Sequence, residues 1–242
     1  MKNLYYLALI AALLFSCGDS NNPQKIIDNA IAASGGEKYL NSTIEFDFRD
    51  RHYVAKRNGG IFSYQRITKD STNLIHDFLS NEGFKREING VVVSVPDSMK
   101  VKYTASVNSV IYFALLPYGL NDPAVIKKFI GETQIDSKDY YVIEVTFKQE
   151  NGGEDFEDVF RYWIGKENYS LDYMAYSFEE NGKADFRFRK AYNARLVQGI
   201  IFLDYINYKP KQETTIHQLE ELYKQGALEE LSKIELVNIQ VN

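Results

Sequence analysis

Apolar residues change their spacing several times along this chain, and each change marks an element. Leu4 to Phe15 is an almost unbroken apolar run. Beyond it Ile26, Ile27, Ala30 and Ile31 form one stripe at helical spacing, with Asn22 placed to cap and Pro23 suited to the first helical position. The pattern predicts a helix that Gly35 and Gly36 stop. From Ile44 the period becomes two: Ile44, Phe46 and Phe48 alternate with Glu45, Asp47 and Arg49, as in a half-buried strand that continues to Lys56. Asn58-Gly59-Gly60 predicts a hairpin into a strand over Phe62 to Ile67. Further strands are expected over Asn73 to Leu79, Phe84 to Ile88 and Val91 to Val95, broken by the turn signals Asn81-Glu82-Gly83 and Asn89-Gly90.

Helical spacing returns between Asp97 and Pro117, where Met99, Tyr103, Val107, Val110, Ile111 and Ala114 share a face. A second antiparallel series is predicted over Lys128 to Ile135, Tyr140 to Lys148, Val159 to Ile164, Leu171 to Phe178, Ala184 to Tyr192 and Ile200 to Tyr208. An amphipathic helix over Thr214 to Gln225 and a strand over Lys233 to Gln240 complete the chain. The fold class expected is mainly β (α+β), an incomplete β-barrel or curved antiparallel sheet of about a dozen strands covered by helices. A sheet with one apolar face must close on itself or be covered, and the apolar helix near the middle is the natural cover.

The apolar run at the start, preceded by Lys2, has the make-up of a signal peptide over residues 1–16 and is too short to span about 30 Å of hydrocarbon. It ends in Leu14-Phe15-Ser16-Cys17, which resembles a bacterial lipobox, so Cys17 is the expected acylation site and 17–22 a short polar tether. Gly18, where an aspartate would signal retention at the inner membrane, points to lipid anchoring at the outer membrane, on its periplasmic face. Cys17 is the one cysteine in the chain, which excludes an intramolecular disulfide. Residues 23–242 suit one domain, expected as a monomer. The net charge of −5 and the lack of clustered Lys and Arg argue against nucleic acid as a partner.

Candidate chemistry is sparse. By strand parity Asp50 and His52 share the face of Phe46 and Phe48, either as a polar pair at the mouth of an apolar cavity or as a strand running past the core into solvent. Glu154, Asp155, Glu157 and Asp158 could offer oxygens to a hard cation, but fit no EF-hand spacing, and the favoured reading is a solvated hairpin tip. Phe186-Arg187-Phe188-Arg189 puts aromatics on one face and two guanidiniums on the other, for an anion or for Glu144, Asp172 or Glu179 on nearby strands. His52, His76 and His217 have no metal-ligand spacing, and no nucleophile elbow, phosphate loop or dinucleotide fingerprint occurs. No catalytic residue, metal or cofactor is expected.

The order of helix, glycine pair, meander, apolar helix and second meander resembles the lipoprotein-sorting carriers LolA and LolB. Through Ile44 to Tyr53, Val107 to Asp122, Gly152 to Trp163 and Phe186 to Pro210, the mature chain also resembles an uncharacterised family of bacterial envelope lipoproteins. The carrier resemblance implies a half-barrel whose concave apolar face holds acyl chains. Phe46, Phe48, Asp50, His52, Ile111, Leu115, Phe186 and Phe188 are then the candidate ligand contacts. The function expected is a non-catalytic carrier, acceptor or chaperone for a lipid or other hydrophobic molecule. The alternatives are an assembly factor with a filled core that docks another envelope protein, and a hydrolase assembled from scattered Asp, His or Ser.

Overall fold

The computed structural model describes residues 21–150, 156–180 and 182–242; residues 1–16, Cys17, Glu154 and Asp155 lie outside them. The capped stripe folds as α1 (Pro23–Ser34), where the Asn22 side chain accepts from the backbone N–H groups of Gln24 and Lys25. Gly35 ends it at φ 147°, and a Cβ there would come within 3.1 Å of Ile200, so glycine is required by both the backbone and the neighbouring strand.

Fourteen strands among the described residues form two seven-stranded antiparallel sheets. The first is the meander β1 (Thr43–Phe48), β2 (Arg51–Asn58), β3 (Ile61–Lys69), β4 (Leu74–Ser80), β5 (Gly83–Ile88) and β6 (Val91–Val93), with β14 (Val237–Val241) beside β1. The second is β7 (Val125–Ile135), β8 (Lys138–Phe147), β9 (Phe160–Gly165), β10 (Leu171–Glu180), β11 (Lys183–Val197) and β12 (Ile200–Pro210), with β13 (Leu228–Ile234) beside β12. The terminal segment leaves the second sheet after Ile234 and joins the first at Val237, so Glu235 and Leu236 mark the seam. The mostly β, unclosed and helix-covered architecture is the one the sequence predicts; the single curved sheet of about a dozen strands is in fact two sheets.

Two local events account for the difference in strand count. The strand expected to run from Ile44 to Lys56 turns back at Arg49-Asp50, with Arg49 at φ 56° and Phe48 opposite Arg51. The last strand is divided at the seam. Register shifts at Asp47, Gly131, Arg195 and Tyr208 bend their strands and strengthen the local twist, as bulges do.

Helix α2 (Asp97–Ala114) lies between the sheets. Val107 and Ile111 are buried with Ile44, Phe46, Tyr53 and Tyr64 of the first sheet, while Tyr112 and Phe113 pack against the Phe160, Tyr162 and Met174 face of the second. Helix α1 covers the same inner face of the second sheet through Ile26, Ile27 and Ala30. The outer face carries a third cluster around Trp163, Tyr173 and Phe188, covered by α3 (Leu219–Lys224) through Leu219, Leu222 and Tyr223. The helix expected over Thr214 to Gln225 thus begins as a 3-10 turn over Ile216–Gln218, closed by a capping box between Thr215 and Gln218.

Candidate functional site

Two clefts lie beside α2 among the described residues. The larger of these two, about 230 Å³, runs between α2 and the inner face of the second sheet near the seam. Its apolar wall includes Phe48, Val110, Phe113, Ala114, Leu203, Ile234 and Leu236, and its polar groups are Arg49, Ser109, Arg189, Asn207 and Ser232. Tyr205 also faces it, and burial pushes the Tyr205 phenol well above its usual range, so the ring stays neutral. A smaller cleft of about 110 Å³ lies across α2, where Ile111 and Leu115 meet Arg57, Tyr64 and Asp122.

Strand pairing sets the larger cleft's floor. Arg189 on β11 sits opposite Asn207 on β12, which sits opposite Ser232 on β13, so the three form one polar row across the sheet. One step along, Tyr205 and Ile234 form an apolar row. The Arg189 guanidinium donates to the Tyr176 hydroxyl at 2.7 Å and to the Asn207 side-chain oxygen at 3.5 Å, and lies over the rings of Phe113 and Tyr176 at 4.3 and 4.9 Å. Phe113 therefore brings α2 directly onto the arginine.

The sequence-predicted contacts do not converge on one site. Phe48 lines the larger cleft and Ile111 and Leu115 the smaller, while Phe46 is fully buried against Tyr53 in the first sheet's core. Asp50 is exposed in the β1–β2 turn. His52 faces outward, hydrogen-bonded to Asp47 at 2.7 Å with Glu45 at 3.4 Å, because the turn at Arg49-Asp50 reverses the parity an unbroken strand would have had. The Asp50 and His52 pairing is accordingly corrected to Asp47 and His52. Asn238 on β14 also donates to Asp47, and that bond, followed by His52, holds its carboxyl below the usual range.

The alternation over Phe186 to Arg189 is real, but its direction is the reverse of a cavity-lining aromatic pair. Phe188 is buried on the outer face, stacked on Tyr223 with ring centroids 4.8 Å apart, and Phe186 packs in the same cluster. The guanidiniums point inward: Arg187 pairs with Asp185, and Arg189 reaches the cleft. Glu144 and Asp172, expected as partners for these arginines, bond to Arg161 and Tyr140 instead. Arg189 was legible only as half of a basic pair; the clue to its inward position is that β10 and β11 place it opposite Met174 of the inner core.

The remaining histidines lie away from the cleft. His76 bonds to Gln65 on the first sheet's outward face, and His217 contacts Arg161. Among the described residues no group of three His, Cys, Asp or Glu is placed to hold a metal ion, and no helix is long and apolar enough to cross a membrane.

This arrangement defines a class: an unclosed two-sheet fold with an interposed helix and amphipathic clefts beside it. A DUF1329 family protein from Desulfovibrio piger shares that fold, with a TM-score of 0.53 at 11% identity over 91% of this chain and 93% of the other. Also similar are a LolA superfamily protein from Nitrosomonas europaea (TM-score 0.46, 11% identity, 91% of each chain) and an outer membrane lipoprotein-sorting protein domain from Vibrio parahaemolyticus (0.46, 10%, 91% and 94%). No curated protein matches the sequence. The chain belongs to DUF6503, a family of unknown function whose model matches residues 2–236.

Proposed function

We propose that this protein is an envelope lipoprotein, held to the outer membrane through acylated Cys17, that binds a hydrophobic ligand between α2 and the second sheet without catalysing a reaction on it. The observation that carries this reading is the cleft of about 230 Å³, walled by Phe48, Val110, Phe113, Leu203 and Leu236. Apolar walls bind a lipid tail by removing it from water, at about 25 cal/mol per Å² buried, with no reactive group needed. The cleft is below the roughly 300 Å³ at which small-molecule pockets usually begin. The resting form therefore takes a chain end, and a longer ligand enters as α2 lifts. That movement separates Tyr112 and Phe113 from the second sheet and leaves Val107 and Ile111 packed on the first. The LolA and lipoprotein-sorting names belong to the similar proteins; the acylation motif and the cleft support the reading for this chain.

Native mass spectrometry of the purified protein tests it. A co-purifying acyl molecule, or binding of an added one that Phe113→Trp abolishes by filling the cleft, is the expected result. Protein that stays empty at saturating amphiphile would leave the second reading, an assembly factor that docks another envelope protein, which the three packed clusters of buried side chains favour.

A further inference from the structure

Arg189 is only 8% exposed, yet among the described residues no carboxylate lies within ion-pair distance of it. Other arginines in comparable settings lie within ion-pair distance of a carboxylate: Arg66 and Arg86 share Asp77, while Arg161 has Glu144, Arg187 has Asp185 and Arg195 has Asp204. Arg57, also without such a pair, has Asp122 on the wall of its own small cleft. A buried cation without a counter-charge is costly. The Tyr176 hydroxyl, the Asn207 oxygen and two aromatic faces solvate Arg189 but do not neutralise it.

We infer that the ligand is a single-chain anionic amphiphile whose carboxylate or phosphate is received by Arg189, an inference that rests on the cleft being a hydrophobic-ligand site. The guanidinium fork matches either anion through two parallel N–H donors. The polar row of Arg189, Asn207 and Ser232 forms the head-group end. From Asn207 the apolar floor continues through Tyr205 to Leu203, four residues along β12 and so about 13 Å at the usual strand rise. The anion would supply the charge that no carboxylate among the described residues brings to Arg189, while the chain follows the apolar floor.

The test compares four probes of equal chain length on the purified protein by titration calorimetry: dodecanoate, dodecyl phosphate, 1-dodecanol and dodecyltrimethylammonium. At least one anion should bind about tenfold or more tightly than the alcohol and the cation, and the stronger of the two distinguishes a fatty-acid carboxylate from a phosphate head group. Arg189→Gln should bring the anion down to the level at which the same variant binds the alcohol. Equal binding of anion and alcohol, or a preference that survives Arg189→Gln, overturns the head-group assignment while the cleft reading stands. If none of the four binds, the cleft reading itself fails. Should Arg189→Gln not fold, Arg189→Lys keeps the charge without the fork; an anion affinity unchanged in that variant counts against bidentate reception by Arg189.

Discussion

At the residue scale, the chain's few histidines act through their settings. His76 sits on the outward face of the first sheet beside Phe78, and burial lowers its pKa below the ordinary 6.5, outweighing the opposite pull of Glu87 and Asp77. A folded-state value below the unfolded one means that the unfolded chain takes up the proton first. The contribution of this residue is therefore fully present above pH 6.5 and declines as pH falls through that value towards the folded pKa. His76→Gln keeps a polar group facing Gln65 and removes the titration. Urea unfolding at pH 7.5 and pH 5.5 should show the wild type losing more stability than the variant between the two; an identical loss would mean that the imidazole is not desolvated. What could be read at this scale was identity and parity, as for Arg187 and Arg189. Which side of the sheet counts as inside could not, because both faces of the second sheet are apolar and both are covered.

At the element scale, α2 is held differently along its length. Its second half is packed by Val107 and Ile111, whereas its first half rests on charge. Asp77 is buried between Arg66 and Arg86 at 2.6 Å from each, Arg66 extends to Ser106 at 2.7 Å, and Arg86 lies over the Tyr103 ring at 3.7 Å. Two cations sharing one carboxylate form a polar seat for the helix. Asp77→Asn leaves both guanidiniums without their counter-charge and should destabilise the fold by about 3–5 kcal/mol in chemical denaturation, as breaking a buried pair commonly does. Replacing all three charged residues with apolar ones of similar volume should recover most of that loss, since the cost lies in the uncompensated charge. A mild effect of the single change would show that water reaches the site. The sequence made α2 legible as an apolar cover through its spacing. The charged seat beneath it was not legible, since Arg66, Asp77 and Arg86 lie on three strands and meet only through the register of the meander. The β1–β2 turn was hidden for another reason: Arg49-Asp50 carries no glycine, and the polar alternation runs through it without a break.

At the scale of the whole molecule, two sheets joined at Glu235 and Leu236 enclose one helix, and capacity depends on whether that helix stays in place. Taking about 30 Å³ for a group the size of a water molecule, a rigid cleft of 230 Å³ holds roughly eight methylenes. Within that limit each added methylene should improve binding by about 0.8 kcal/mol. In a rigid protein the gain would stop there, because further carbons remain in water. If α2 lifts from the second sheet, longer chains displace Phe113 and take its place against Tyr205 and Leu203, so affinity keeps rising past the limit with a smaller slope. Part of each gain is then spent on separating α2. Titration with saturated carboxylates from six to sixteen carbons should therefore give two slopes with no plateau. Amide exchange should quicken in α2 with the longer chains and stay unchanged in α1, which its Gln24, Asp28 and Asn121 hydrogen bonds hold to the turn before β7. A flat affinity beyond about eight carbons, with α2 exchange unaffected, would define a fixed pocket for a chain end and rule out a carrier that encloses whole acyl chains.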